Sequence, residues 1–198
     1  MKAAAKVAQP EGQLSSDERL IVLCRKGDQQ AWSELVDKYK NLIYSIPIKL
    51  GLFDDAADIF QSVCLDLLTN LPRLREPKAL PKWLMQVCYH KCLERKTSSA
   101  RQVALEDDDA GPLAAEVPTP TLPEELLAQL QREQIVRNAV SALPERCQRM
   151  VRMLFFESPA RPYQEIAREL GLSTGSIGFI RGRCLGRLKK QLEMMGFQ

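Results

Sequence analysis

Apolar residues recur at three- and four-residue spacing along most of the chain, and no stretch alternates with period two, so the pattern predicts helices. Ser15-Ser16-Asp17-Glu18 reads as a capping box ahead of Leu20, Ile21, Leu23 and Cys24, and Gly27-Asp28 breaks that helix. A second helix starts at about Gln29, with Trp32, Leu35, Val36, Tyr39, Leu42, Ile43 and Ile46 on its apolar side, and Pro47 is expected to kink or end it. A third is predicted from about Phe53 to Leu71. Phe53, Ala57, Phe60, Cys64, Leu67 and Leu71 share one face and are expected in the core. A loop with two prolines, Asn70 to Lys78, leads to a fourth helix over about Ala79–Lys96, and further helices fall at about Glu124–Ala142 and Pro144–Phe156.

The last patterned stretch, Tyr163 to Leu188, reads as two helices around a tight turn. Glu165, Ile166, Ala167, Leu170 and Leu172 form the first, and Gly171 supplies a residue able to take positive φ at its end. Ser173 and Thr174 are candidate N-caps for the second, in which Ile177, Ile180, Cys184 and Leu188 form the apolar stripe. Arg181, Arg183 and Arg187 lie off that stripe. A solvated amphipathic helix would show the same pattern. The small residues Thr174, Gly175, Ser176 and Gly178 tip the balance, because glycine costs a helix about 1 kcal/mol against alanine and is useful where backbone approaches a phosphate. The expectation is a helix-turn-helix that binds DNA.

Charge divides the chain more sharply than its net value of +3 suggests. The third helix carries Asp54, Asp58, Gln61 and Leu65 on the face opposite its predicted core, and Leu50–Leu71 contains four aspartates and no cation. Leu65 is either an ordinary exposed leucine or the apolar centre of a protein contact with a polar rim. From Arg73 to Arg101 eight basic residues stand against two acidic ones, interleaved with Trp83, Tyr89 and His90, a composition suited to single-stranded nucleic acid. Trp83 and Tyr89 in the core, beside a merely solvated cationic face, is the competing reading, and for Trp83 the core is favoured. Gln102–Glu125 then holds seven acidic residues, four prolines and no cation, and reads as a flexible acidic linker.

The expected organisation is therefore all-α: a disordered N-terminus over 1–14, a helical domain over 15–101, the linker over 102–123, and a helix-turn-helix domain over 124–198. No apolar run approaches the ~20 residues of a membrane span, and the N-terminus lacks the apolar core of a secretory signal, so a cytoplasmic location without membrane insertion is expected. The six cysteines stand singly in apolar patterns, as small core residues of a reducing compartment. Cys88 and Cys92 share a helix face, but His90 projects about 200° from Cys88, so no metal site is expected. With one histidine and no convergent nucleophile or carboxylate pair, neither catalytic residues nor cofactors are expected.

Taken in order, these parts resemble the bacterial sigma factors of the extracytoplasmic-function type. DDAADIFQSVCLDLL (Asp54–Leu68) is similar to that family's segment for binding core RNA polymerase, and ALPKWLMQVCYHKCLERK to its −10 promoter segment. LPERCQRMVRMLFFE and YQEIARELGLSTGSIGFIRGRCLGRL resemble its −35-binding domain. Gly178-Phe179-Ile180 stands where many members carry a basic-Ser-basic triplet, and Glu94 where Asp is usual.

The resemblance implies a promoter-specificity subunit that binds core RNA polymerase, recognises −35 and −10 elements and helps to melt DNA. Asp54, Asp55, Asp58, Gln61 and Leu65 would meet the polymerase. Arg73, Arg75, Lys82, Trp83, Gln86, Tyr89, His90, Lys91, Arg95 and Lys96 would hold melted −10 DNA and capture an unpaired base. Thr174, Ser176, Gly178, Phe179, Arg181, Arg183 and Arg187 would meet the −35 duplex. The implied partners are core polymerase, promoter DNA and an anti-sigma factor. The alternative is a conventional helix-turn-helix regulator with an N-terminal dimerisation or effector domain, which needs no affinity for core polymerase.

Overall fold

A computed structural model describes residues 16–106, 120–159 and 161–197, without the side chains of 101–106. The expected N-terminal disorder over 1–14 and the centre of the expected linker lie outside the described residues. The described chain is all-α, with no strand among these residues. Its helices are α1 (Ser16–Arg25), α2 (Gln29–Lys49), α3 (Ala56–Asn70), α4 (Leu80–Glu106), α5 (Glu124–Ser141), α6 (Glu145–Phe155), α7 (Tyr163–Glu169) and α8 (Ile177–Met194). They form two compact units that divide between Leu127 and Ala128, in the first turns of α5.

In the first unit α2 packs against α1, α3 and α4. Asp28 caps α2, its side chain accepting from the Ala31 amide at 3.0 Å. Leu35, Leu42, Ile43 and Ile46 are buried along the helix, as the periodicity predicts. Pro47 neither ends nor breaks it, because it sits in the last turn and the helix runs on to Lys49. Proline has no N–H for the Ile43 carbonyl four residues back. The Cys88 thiol of α4 donates to that carbonyl instead, at 3.4 Å. Contact with Cys92, with burial second, pushes the Cys88 thiol well above its ordinary range. Tyr39 is buried and donates its hydroxyl to Asp17 at 2.9 Å, while Lys38 pairs with the same carboxylate at 2.7 Å. Burial and the neighbouring carboxylate push the Tyr39 phenol up.

Two further expectations about this unit are corrected. The third helix begins at Ala56 rather than Phe53, and Phe53 is 67 % exposed. The face α3 buries is Ala56, Ile59, Val63 and Leu67, one residue round from the predicted stripe, with Phe60 and Cys64 at its border and Ala57 exposed. Phe60 stacks on Tyr44 with centroids 4.6 Å apart. The fourth helix continues to Glu106, past Gln102 where the linker was expected to begin. Arg101 and the residues after it extend the helix because nothing from Lys96 to Glu106 is a proline or glycine.

The second unit has its own core of Val140, Leu143, Cys147, Met150, Val151, Ile166, Ala167, Leu170, Ile177 and Cys184. Gly171 takes φ +62° at the end of α7, as its position requires. A 3-10 turn over Thr174–Ser176 precedes α8, and neither Ser173 nor Thr174 caps it. The Ser176 hydroxyl instead donates to the Ser173 carbonyl at 2.9 Å. Cys147 of α6 and Cys184 of α8 are joined by a disulfide, which corrects the expectation of six single thiols; Cys24, Cys64, Cys88 and Cys92 are free.

Candidate nucleic-acid interface

Three groups of predicted residues sit on different elements. On α3, residues three and four apart share a face, which lines up Asp58, Gln61, Leu65 and Leu68. Asp58 and Gln61 are exposed, Leu65 is 65 % exposed and Leu68 58 %. Asp54 lies exposed just ahead of the helix. Leu68 extends the apolar strip by one turn and was missed in the sequence, where it was not placed on either face. Asp55 is different. It stands at the start of α3 with its side chain largely covered and pairs with Arg95 of α4 at 2.6 Å. Asp66 of α3 likewise pairs with Lys91 of α4 at 3.3 Å. The acidic helix and the basic helix thus neutralise part of each other. The charges left outward on α3 are those around Leu65.

The second group lines a cavity of about 230 Å³ between the end of α3, the following loop and the start of α4. Leu67, Leu71, Leu74, Leu80 and Trp83 give it apolar walls, and Asn70, Arg73 and Arg75 add polar lining. That is below the range of about 300–1,000 Å³ typical of small-molecule sites, and suits a single planar ring against Trp83. Trp83 is half-buried, with Leu84 and Met85 beside it taking the core positions. The sequence preference for Trp83 in the core holds in part: the residue is half-buried and forms a wall of the cavity. The two prolines shape the loop by placing short 3-10 turns at Leu71–Arg73 and Pro77–Ala79.

Further along α4, Lys82 and Lys96 are exposed, and Gln86, Tyr89, His90 and Lys91 are half-buried. The segment Pro120–Leu122 crosses this face. The Gln86 side-chain oxygen accepts from the Leu122 amide at 3.3 Å, and His90 Nε2 lies 3.0 Å from the Pro120 carbonyl. Gln86 and His90 also touch, at 2.6 Å. Two of the predicted DNA contacts are thus occupied from within the chain, an arrangement local periodicity could not signal across 30 to 36 residues. Among the described residues no three His, Cys, Asp or Glu side chains converge to hold a metal ion, and no helix is long and apolar enough to cross a membrane.

The third group lies on α8 and the turn before it. Thr174, Gly178, Phe179 and Arg183 are exposed, Ser176 and Arg181 half-buried, and Phe179 is 71 % exposed. Arg183 stacks over the Phe179 ring at 5.8 Å, one turn along the helix. Arg181 donates to the Tyr163 hydroxyl at 2.7 Å and lies over the same ring, so Tyr163 of α7 sets its direction. Arg187 leans instead toward Cys147 of α6, with Nη1 4.0 Å from Sγ, and is set apart from the others. A Cβ built at Gly175, Gly178, Gly182 or Gly186 would meet nothing within 4 Å, so packing within the chain does not require any of these glycines.

Comparison with known proteins adds to this geometry. The chain is 23 % identical over 175 residues to the ECF RNA polymerase sigma factor SigW of Bacillus subtilis (strain 168), covering 85 % of this chain and 92 % of that protein. It is 24 % identical over 170 residues to the ECF RNA polymerase sigma-E factor of Escherichia coli (strain K12), covering 82 % and 86 %. The same figures hold for the sigma-E factor of Salmonella typhimurium (strain LT2). No family model matches the chain.

Proposed function

On the premise that this chain is a homologue of the extracytoplasmic-function RNA polymerase sigma factors, with a sigma subunit's role in transcription initiation, we propose that it binds core RNA polymerase and confers recognition of two promoter elements. The carrying observation is the reach of the similarity, which spans most of this chain and most of each relative. A match of that length reaches into both units.

Each unit contributes differently. The exposed strip of Leu65 and Leu68, with Asp54, Asp58 and Gln61 around it, docks on the polymerase as an apolar centre inside a polar rim. The cavity beside Trp83 takes a base flipped out of the melted −10 strand. Stacking on the indole repays the few kcal/mol that unpairing costs. Lys82, Lys96, Arg73 and Arg75 meet the phosphates. Asp55 and Arg95, paired with each other, stiffen the joint between α3 and α4 rather than meeting a partner directly. Gln86 and His90 reach DNA once Pro120–Leu122 has moved off them.

In the second unit α7 and α8 act as a helix-turn-helix on the −35 duplex. Arg181 and Arg183 reach phosphates or base edges, and Phe179 presents an apolar ring able to touch a thymine methyl. The open Cβ positions at Gly175 of the turn and at Gly178 and Gly182 of α8 let the backbone come close to the duplex. The acidic stretch that precedes α5 serves as a tether, and an anti-sigma factor that covers the Leu65 strip or α8 would silence the chain.

The test is selection from a randomised promoter library by run-off transcription with purified core polymerase plus this chain. A selected consensus with two blocks, each sensitive to one unit's variants, supports the reading. A chain that binds duplex DNA tightly alone and does not associate with core polymerase is a conventional regulator instead.

A further inference from the structure

The loop lining the Trp83 cavity is held from outside the cavity, by the last residue of α1. Arg25 Nε donates to the Leu71 carbonyl at 3.2 Å, and Arg25 Nη2 donates to the Leu74 carbonyl. The Leu71 carbonyl also accepts from the Leu74 amide at 3.3 Å. One guanidinium therefore bridges both ends of a single 3-10 turn, and the side chains at those two ends line the cavity together with Trp83. Arginine is suited to this because its planar fork holds two N–H groups at a fixed separation, which an ammonium cannot do. The contacts span 46 and 49 residues of sequence, so neither helix pattern nor loop composition announces them.

We propose that Arg25 is a positioning residue for base capture: its fork sets the spacing of Leu71 and Leu74, and so the width of the slot into which an unpaired base is laid against Trp83. The inference rests on the reading of that cavity as the −10 base site. Arg25 does not line the cavity and is exposed, so it acts through the loop carbonyls rather than by touching the base. A lysine could satisfy one carbonyl but not fix both. The loop would then sample wider and narrower slots, and the base would bind a smaller share of them.

The experiment uses the full chain with core polymerase on a promoter selected as above, in an intact form and in a series with one abasic site at successive positions of the melted −10 strand. On the intact template Arg25→Ala should lower open-complex formation about tenfold, with Arg25→Lys in between. At the one abasic position where Trp83→Ala also ceases to matter, Arg25→Ala should cost less than about twofold, because no base is left to capture. The melting temperature should move by no more than about 3 °C, as for a surface substitution. Equal losses on intact and abasic templates, joined to a shallower salt dependence, would make Arg25 a phosphate contact and overturn the proposal. An Arg25→Ala protein that behaves as wild type on templates where wild type is sensitive to the abasic site would overturn it too, leaving the base site intact. Wild-type indifference to every abasic position would remove the base site itself, and this inference with it.

Discussion

At the scale of single residues, Leu65 and Leu67 make a matched pair. They are two positions apart on α3, one 65 % exposed and the other 2 %. Leu65→Ser should leave the melting temperature almost unchanged, since surface substitutions usually stay within about 0.5 kcal/mol. It should still cost roughly 1–3 kcal/mol in affinity for core polymerase, the range for losing a buried leucine contact. Leu67→Ser should destabilise the fold first, because it puts a hydroxyl among buried apolar groups. Thermal melts and titration against core enzyme separate the two. A Leu65→Ser protein with wild-type affinity would reduce Leu65 to an exposed leucine without a partner. The exposure of Leu65 was legible from helical periodicity alone. The buried face was not quite: Phe53 and Phe60, seven apart, look like the anchors of a stripe, but Phe53 precedes the helix, and the stripe turned by one residue onto Ile59 and Val63. Aromatic weight misled where a helix start was misplaced by three residues.

At the scale of elements, α8 carries an internal conflict that can be measured. Gly178 is the second residue of α8, with open space where a Cβ would stand. Gly178→Ala should raise stability by up to about 1 kcal/mol, the helix-interior value, and by less in a first turn. It should at the same time weaken binding to the −35 duplex. Gly186→Ala, two turns further on, should stabilise without that loss. If Gly178→Ala binds as well as wild type, close backbone approach is not what the glycine is for. The exposed side chains of the same helix divide by chemistry. Arg183→Ala should weaken binding to all sequences and reduce the salt slope by about one phosphate's worth, near 0.9. Phe179→Ala should chiefly change sequence preference, with a smaller general loss because Arg183 stacks on that ring. Equal losses on every −35 variant for Phe179→Ala would count against a base contact. The Cys147–Cys184 disulfide ties α8 to α6. Alkylation of the unfolded, unreduced protein should label four cysteines, and six after reduction. Reduction should cost about 3–4 kcal/mol of stability for a loop of this size, 37 residues. Six labels without reductant would mean that the two cysteines are apart.

For the molecule as a whole, what could be read from the sequence was what is local: helix positions, the acidic and basic segments, and the turn at Gly171. What could not be read is what joins distant segments. Arg25 reaching Leu71 and Leu74, Asp55 meeting Arg95, Pro120 lying against His90 and Cys147 bonding Cys184 each link residues 30 to 49 apart, and no periodicity encodes which exposed polar group finds which. These links change the site more than the fold. They withdraw Asp55 and Arg95 into a mutual pair, cover Gln86 and His90, and fix the loop beside Trp83. The central claim, that the chain directs polymerase to promoters, does not depend on any one of them. It is tested most directly by run-off transcription with purified core RNA polymerase on a promoter-bearing template, with and without this chain. The account predicts a discrete transcript only when the chain is present, reduced by Leu65→Ser through core affinity and by Trp83→Ala through strand opening. Tight binding of the chain to the template with no transcript, at saturating core polymerase, would contradict it.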